Sequence, residues 1–282
     1  MRIARVTDGN HIYIARVSAQ NDTVVPLYVE QGGPGRDGLR ELLVAGGGLE
    51  GPAVADERPF DRVKLLAPVV NPQKVLAIGL NYARHAKEGG IEPPKSPVSF
   101  VKTNNSITGP DDEIRYSKDD STQVDYEVEL AIVMGRRARR VSVADALDHV
   151  LGYTVCNDVS ARDAQFTDGQ WVRSKSFDTF CPLGPWIVGT DEIPDPQALG
   201  LRCRVNGTIL QDSSTADMIF GCAELISFLS RAMTLEPGDV IATGTPEGVG
   251  FARKPPVWLL HGDVVEAEVD GIGTLRNTVV VE

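Results

Sequence analysis

The chain is poor in cysteine, with four among 282 residues, and short of basic charge, with 28 Lys and Arg against 39 Asp and Glu. Cys156, Cys181, Cys203 and Cys222 form no Cys-x-x-Cys spacing, and none lies beside another soft-metal ligand. A disulfide scaffold is not indicated, and reduced, mostly buried thiols in a cytoplasmic protein are expected. The net charge of −11 argues against nonspecific nucleic-acid binding, which needs a basic surface. The densest basic run, Arg136 to Arg140, is short and reads as a solvated turn. Long apolar runs are also absent. No window reaches the roughly 18 residues of a membrane span, and Met1-Arg2-Ile3-Ala4-Arg5-Val6 opens no apolar stretch. What is there, 42% apolar and 24% charged residues, suits a globular protein with one large core or a large domain preceded by a small one.

Residues 1–70 read as short strands (Met1–Val6, His11–Val17, Val24–Val29), a helix near Leu39–Val44, and Gly- and Pro-rich connections. This pattern predicts a small N-terminal α/β domain, with a boundary at the prolines Pro68 and Pro72. Strand signals dominate residues 71–282. Asn206-Gly207 and Asp270-Gly271 lie between strand-like runs and supply the positive φ of tight hairpins. Ser142-x-x-Asp145 precedes a predicted helix over Ala146–Leu151, and Ala223–Ala232 carries apolar residues at helical spacing. Strands outnumber helices without alternating with them, which predicts an α+β protein with a large, mixed, curled sheet.

The most informative run is Val124-Asp125-Tyr126-Glu127-Val128-Glu129-Leu130-Ala131-Ile132-Val133-Met134. In a strand, alternation puts Asp125, Glu127 and Glu129 on one face. Such a row repels itself, and the apolar residues that follow lead into a core where unpaired charge is costly, so a cation is the economical resolution. The alternative is an edge strand facing water. Some thirty residues on, Gly152–Asp158 reads as a strand ending in a polar turn, and Asp158 offers a third oxygen ligand. Carboxylates without His or Cys partners suit a hard ion, Mg²⁺ or Mn²⁺, with about three of six positions left for water or substrate.

Four motifs in order carry a resemblance: Tyr126-Glu127-Val128-Glu129-Leu130 with Gly135, Asn157-Asp158-Val159-Ser160-Ala161-Arg162-Asp163, Lys175-Ser176-Phe177-Asp178 through Pro185, and Gly244-Thr245-Pro246-Glu247-Gly248-Val249-Gly250. Over residues 72–282 the chain resembles the catalytic domain of the fumarylacetoacetate hydrolase family. The resemblance implies a β-roll-like catalytic domain, usually a homodimer, with Mg²⁺ or Mn²⁺ held by Glu127, Glu129 and Asp158. It implies Lys175 as the active-site lysine, with Gln165 and Thr245 at substrate oxygens. The segment Gly79–Glu88 resembles the family's lid, in which a His-Glu pair, here His85 and Glu88, activates water. His85 and Glu88 share a face if the segment is helical, so the carboxylate can orient the imidazole. Tyr82 in the same segment is a substrate-binding candidate. Asp125 lies outside the family pattern and is expected only behind the ligands. Arg162-Asp163 reads as a structural salt bridge, and Trp171 as a packing residue.

The implied chemistry is metal-dependent hydrolysis of a 2,4-dioxo acid, an acylpyruvate or a diketo sugar acid. Water attack at C4 and C3–C4 cleavage give pyruvate and a second acid through an enolate held by the metal. Lys175 adds positive charge at the enolate oxygen or helps deliver the proton, and His85, paired with Glu88, is general base for the water. The rival reading is decarboxylation of oxaloacetate, or decarboxylation and isomerisation of a ring-cleavage diacid, which needs no activated water. A reading of another class is a non-catalytic metal-binding protein, against which Lys175 argues.

Overall fold

The computed structural model of the chain describes residues 1–18, 20, 22–31, 36–46 and 49–282; of the Gly- and Pro-rich connections expected near the N-terminus, 32–35 and 47–48 lie outside the described residues. The run Val128–Met134 is buried at every position, as a central strand of Val, Leu, Ile and Met covered on both faces should be. It pairs antiparallel with Val150–Asn157 on one side and with Val240–Ala242 on the other. The sheet continues from Val240–Ala242 through the parallel strand Val75–Gly79 to the end strand Val98–Lys102. In the other direction it runs through Cys181–Gly189 to Arg2–Thr7, Ile12–Val17, Thr23–Val29 and Arg58–Pro59.

A second, five-stranded sheet is built from Thr208–Ser214, Gly200–Val205, Val264–Val269, Gly273–Val281 and Glu113–Tyr116. Gly200–Val205 and Val264–Val269 alternate half-buried and buried positions, so one face of this sheet turns inward. Cys203, Val265 and Ala267 from that face share a core with Leu130, Ile132 and Val155 of the larger sheet. Burial of each large aliphatic residue there contributes ~1.5–3 kcal/mol. Helices are few and short. The longest is Cys222–Ala232, whose Leu225, Ile226 and Leu229 face the core as their spacing predicts. The α+β class with a large mixed sheet is therefore observed.

Three expectations change. The strands of residues 1–70, expected to form a small domain of their own, lie in the main sheet: Arg2–Thr7 pairs directly with Cys181–Gly189, and Ile3, Ile14 and Leu39 share a core with Val133 and Leu183. The helix expected over 146–151 is a 3₁₀ turn at Ala146–His149, because Val150 is already paired with Met134. The strand expected over 124–134 breaks at Tyr126 and Glu127, since Val124–Asp125 pairs separately with Ser160–Ala161. Asp125 therefore does not stand in a row with Glu127 and Glu129.

Candidate metal and substrate site

The antiparallel register of Val128–Met134 against Val150–Asn157 sets Val128 opposite Asn157 and Glu129 opposite Cys156. The residues just beyond, Glu127 and Asp158, are then neighbours: the Asp158 amide donates to the Glu127 carbonyl at 2.9 Å, and the Glu127 amide donates to Asn157 Oδ1 at 3.0 Å. Carboxylate oxygens of Glu127, Glu129 and Asp158 lie within 4.8 Å of one another, and all three residues are buried. Glu129 accepts a 2.8 Å hydrogen bond from the Gly244 amide. Gly244 has φ +101°, and a Cβ there would stand 2.8 Å from Asn81 Cβ and 3.0 Å from the Ile78 carbonyl, so only glycine fits.

Cations surround the cluster. Lys175 ends the short helix Val172–Lys175, and its ammonium lies 2.7 Å from Glu127 and 2.8 Å from Asp158. Arg162 contacts Glu127 at 2.5 Å and Asp125 at 2.9 Å, and donates to Gln165 at 2.8 Å. Lys102, fully buried at the end of Val98–Lys102, pairs with Asp158 and donates to the Lys175 carbonyl. Four buried carboxylates, Asp125, Glu127, Glu129 and Asp158, thus face three buried cations. Among the described residues, no lysine or arginine forms an ion pair with Glu129.

The consequence is visible in proton affinity. Burial, then the charges of Asp158 and Glu127, push the Glu129 carboxyl well above its ordinary range. For Glu127 burial pushes the same way, but Lys175 and Arg162 outweigh it and hold the group at about 2. A divalent cation among these oxygens would satisfy Glu129, and an all-oxygen donor set fits a hard ion. The cluster is able to hold a metal ion.

The carboxylates form the polar floor of a cavity of about 220 Å³, whose wall also includes His85, Gln165, Thr245, Lys175, Arg162, Trp171 and Phe100. His85, on the helix Ala83–Glu88, lies 3.4 Å from Glu88, a long hydrogen bond. Both Glu88 oxygens accept from the Gly248 amide at 3.1 Å. Thr245 lines the cavity, but its hydroxyl donates to the Val128 carbonyl and accepts from Gln211.

Of the residues picked from sequence, His85, Gln165, Thr245, Glu127, Glu129, Asp158 and Lys175 meet in this one cavity, with Glu88 behind His85. Tyr82 does not. It is fully buried outside the cavity wall, with its hydroxyl unpartnered, because Asn81 ties the segment inward to the Thr243 and Phe220 carbonyls. Arg162 and Asp163 form no pair: Asp163 accepts from Ser121 and the Thr122 amide instead. Trp171, expected to be packing alone, lines the cavity. Lys102 was missed, although alternation along Val98–Lys102 puts it on the same face as the cavity residue Phe100.

Carboxylates, a lysine and a histidine converge on one cavity. Residues 74–280 match the family described as fumarylacetoacetate (FAA) hydrolase, C-terminal, and the chain belongs to the fumarylacetoacetate hydrolase family. The mitochondrial oxaloacetate tautomerase fahd2 of Xenopus laevis is 51% identical over 220 residues, 77% of this chain and 69% of that protein. The solved fumarylacetoacetate hydrolase of psychrophilic Exiguobacterium antarcticum is 40% identical with a TM-score of 0.88, covering 100% of both chains. The 5-carboxymethyl-2-hydroxymuconate delta-isomerase of Mycobacterium smegmatis is 39% identical with a TM-score of 0.83, again over 100% of both. These relatives share a family and not a reaction class, so the hydrolase expectation does not follow from them. Among the described residues no helix is long and apolar enough to cross a membrane.

Proposed function

We propose that this protein interconverts the keto and enol forms of a small 2-oxo acid, with oxaloacetate as substrate, using Mg²⁺ or Mn²⁺ held by Glu127, Glu129 and Asp158. The observation that carries this reading is the single cavity in which the carboxylate cluster meets two proton-handling groups, His85 and Lys175. The tautomerase name of the Xenopus laevis relative supports it. When bound, the cation supplies positive charge to the C1 carboxylate and C2 oxygen of the substrate, which acidifies C3.

The protein's own groups do the rest. Lys175 gives a proton to the C2 oxygen as negative charge develops there and takes one back in the reverse direction, and its contacts with Glu127 and Asp158 keep it in place. His85 takes the C3 proton in one direction and returns it in the other, while Glu88, anchored by the Gly248 amide, orients the imidazole. Phe100 and Trp171 in the wall exclude water and strengthen these interactions. The test is the decay of oxaloacetate enol absorbance, followed with the metal-supplemented protein and its His85→Gln variant. Acceleration over buffer that the substitution abolishes supports the reading, and no acceleration by the wild type ends it.

One observation favours a second reading. The His85–Glu88 pair is also the arrangement that activates water, as hydrolysis of a 2,4-dioxo acid or acylpyruvate requires. Release of pyruvate from acetylpyruvate in a coupled assay identifies that reaction, and release from oxaloacetate identifies decarboxylation. The four free, buried cysteines fit the reducing cytoplasm we propose as the compartment. The homodimer the family resemblance implies is checked by sizing chromatography.

A further inference from the structure

The cavity wall carries more apolar and aromatic surface than the tautomerase reading calls on. Beside the carboxylates the wall includes Ile78, Ile91, Phe100, Phe166, Trp171 and Phe251. The rings stand in two edge-to-face pairs: Phe100 with Trp171 at 5.4 Å and 77°, and Phe166 with Phe251 at 5.8 Å and 73°. Phe166 is 65% exposed and Ile91 46%, so neither owes its place to the core. Large apolar side chains left open to water at the rim of a cavity mark a surface that meets a ligand.

Charge in the wall points the same way. Arg162 is committed to Asp125, Glu127 and Gln165, and Lys175 to Glu127 and Asp158. Arg162 also stands over the Phe251 ring at 4.6 Å and Lys175 over the Phe100 ring at 5.5 Å, so these cations are held by carboxylates and rings together, while the edges of Phe166 and Trp171 offer an uncharged flat ring something to pack against.

We propose that this cavity also takes 2-oxo acids whose tail is an aromatic ring, the arylpyruvates, and interconverts their keto and enol forms. The inference rests on the tautomerase reading and names a second substrate class for the same site. The step balances without a co-reactant: one proton leaves C3, one is gained at the C2 oxygen, and the electron pair of the C3–H bond becomes the C2–C3 double bond. The ring at C3 conjugates with that double bond, lowering the barrier to forming it.

The experiment measures enol decay for phenylpyruvate and oxaloacetate with the metal-supplemented wild type, Phe166→Ala and Phe166→Tyr. Phe166 is exposed enough that its truncation should not unfold the chain. Wild type should turn over both substrates. Phe166→Ala should lower the ratio of kcat/KM for phenylpyruvate to that for oxaloacetate by about tenfold, mostly through KM, and Phe166→Tyr should keep it within about twofold. Turnover of oxaloacetate alone, or a ratio unmoved by Phe166→Ala, overturns the inference and leaves the tautomerase reading standing. Turnover of neither substrate overturns both.

Discussion

Lys175→Met keeps most of the side chain's length and removes its charge. The side chain it replaces is 3% exposed, and its ammonium lies 2.7 Å from Glu127 and 2.8 Å from Asp158. Four buried carboxylates would then face only Lys102 and Arg162. Removing one partner of a buried ion pair costs ~3–5 kcal/mol, because the remaining charge stays buried without compensation. For a chain of this size that lowers Tm by ~6–10 °C in metal-free buffer. A divalent cation restores the missing positive charge, so saturating Mn²⁺ should raise Tm more in the variant than in the wild type. Turnover should not recover with it: oxaloacetate tautomerisation should stay at least ~100-fold down, since the donor at the C2 oxygen is gone. Differential scanning fluorimetry with and without Mn²⁺, beside the enol-decay assay, reads both. A metal-free Tm equal to that of the wild type, or full turnover, would refute the charge reasoning.

Other perturbations follow from the same geometry. Lys102→Met should lower kcat, because Asp158 and the Lys175 carbonyl lose a shared anchor; an unchanged kcat would count against that. Gly244→Ala should destabilise by ~1–3 kcal/mol in urea melts, since φ +101° and a 2.8 Å approach to Asn81 leave no room for a methyl group. The pH response has two parts of opposite sign. Glu127, held at about 2 against an ordinary 4.5, contributes stability that is full above pH 4.5 and lost as pH falls toward 2. Glu129 is raised instead, so the metal-free protein loses stability as pH climbs above 4.5 toward that raised value. Metal binding must expel the Glu129 proton, and calorimetric titrations should show affinity rising with pH over that range.

Part of this site is legible in the sequence from local spacing, while Lys175, Gln165, Thr245 and the roles of His85 and Glu88 come from the family resemblance. Glu127 and Glu129 are two apart, Asp158 sits at the end of an apolar run, and His85 and Glu88 are three apart; each can be read without knowing what lies across the sheet. Tyr82 escaped that logic, because its burial depends on Asn81 bonding to carbonyls at Phe220 and Thr243 far along the chain. Arg162 escaped it too. Its sequence neighbour is an acid, yet its partners Asp125 and Glu127 lie 37 and 35 residues earlier in the chain. Asp125 was misplaced because the backbone leaves the strand at Tyr126, where the Asp125 carboxylate accepts from the Tyr126, Gly250 and Phe251 amides. The N-terminal strands read correctly as strands. Their attachment to Cys181–Gly189 is a long-range pairing that no local pattern announces.

The central claim is that Glu127, Glu129 and Asp158 hold one divalent cation on which turnover depends, and Glu129→Gln tests it most directly. Mn²⁺ binding followed by electron paramagnetic resonance should show one ion per wild-type chain, with affinity at least ~10-fold weaker in the variant. Without metal the variant should be more stable than the wild type, because it removes a buried carboxylate whose ionised form burial and the charges of Asp158 and Glu127 disfavour. Equal Mn²⁺ binding by both proteins, or wild-type oxaloacetate turnover that survives exhaustive chelation, would contradict the account.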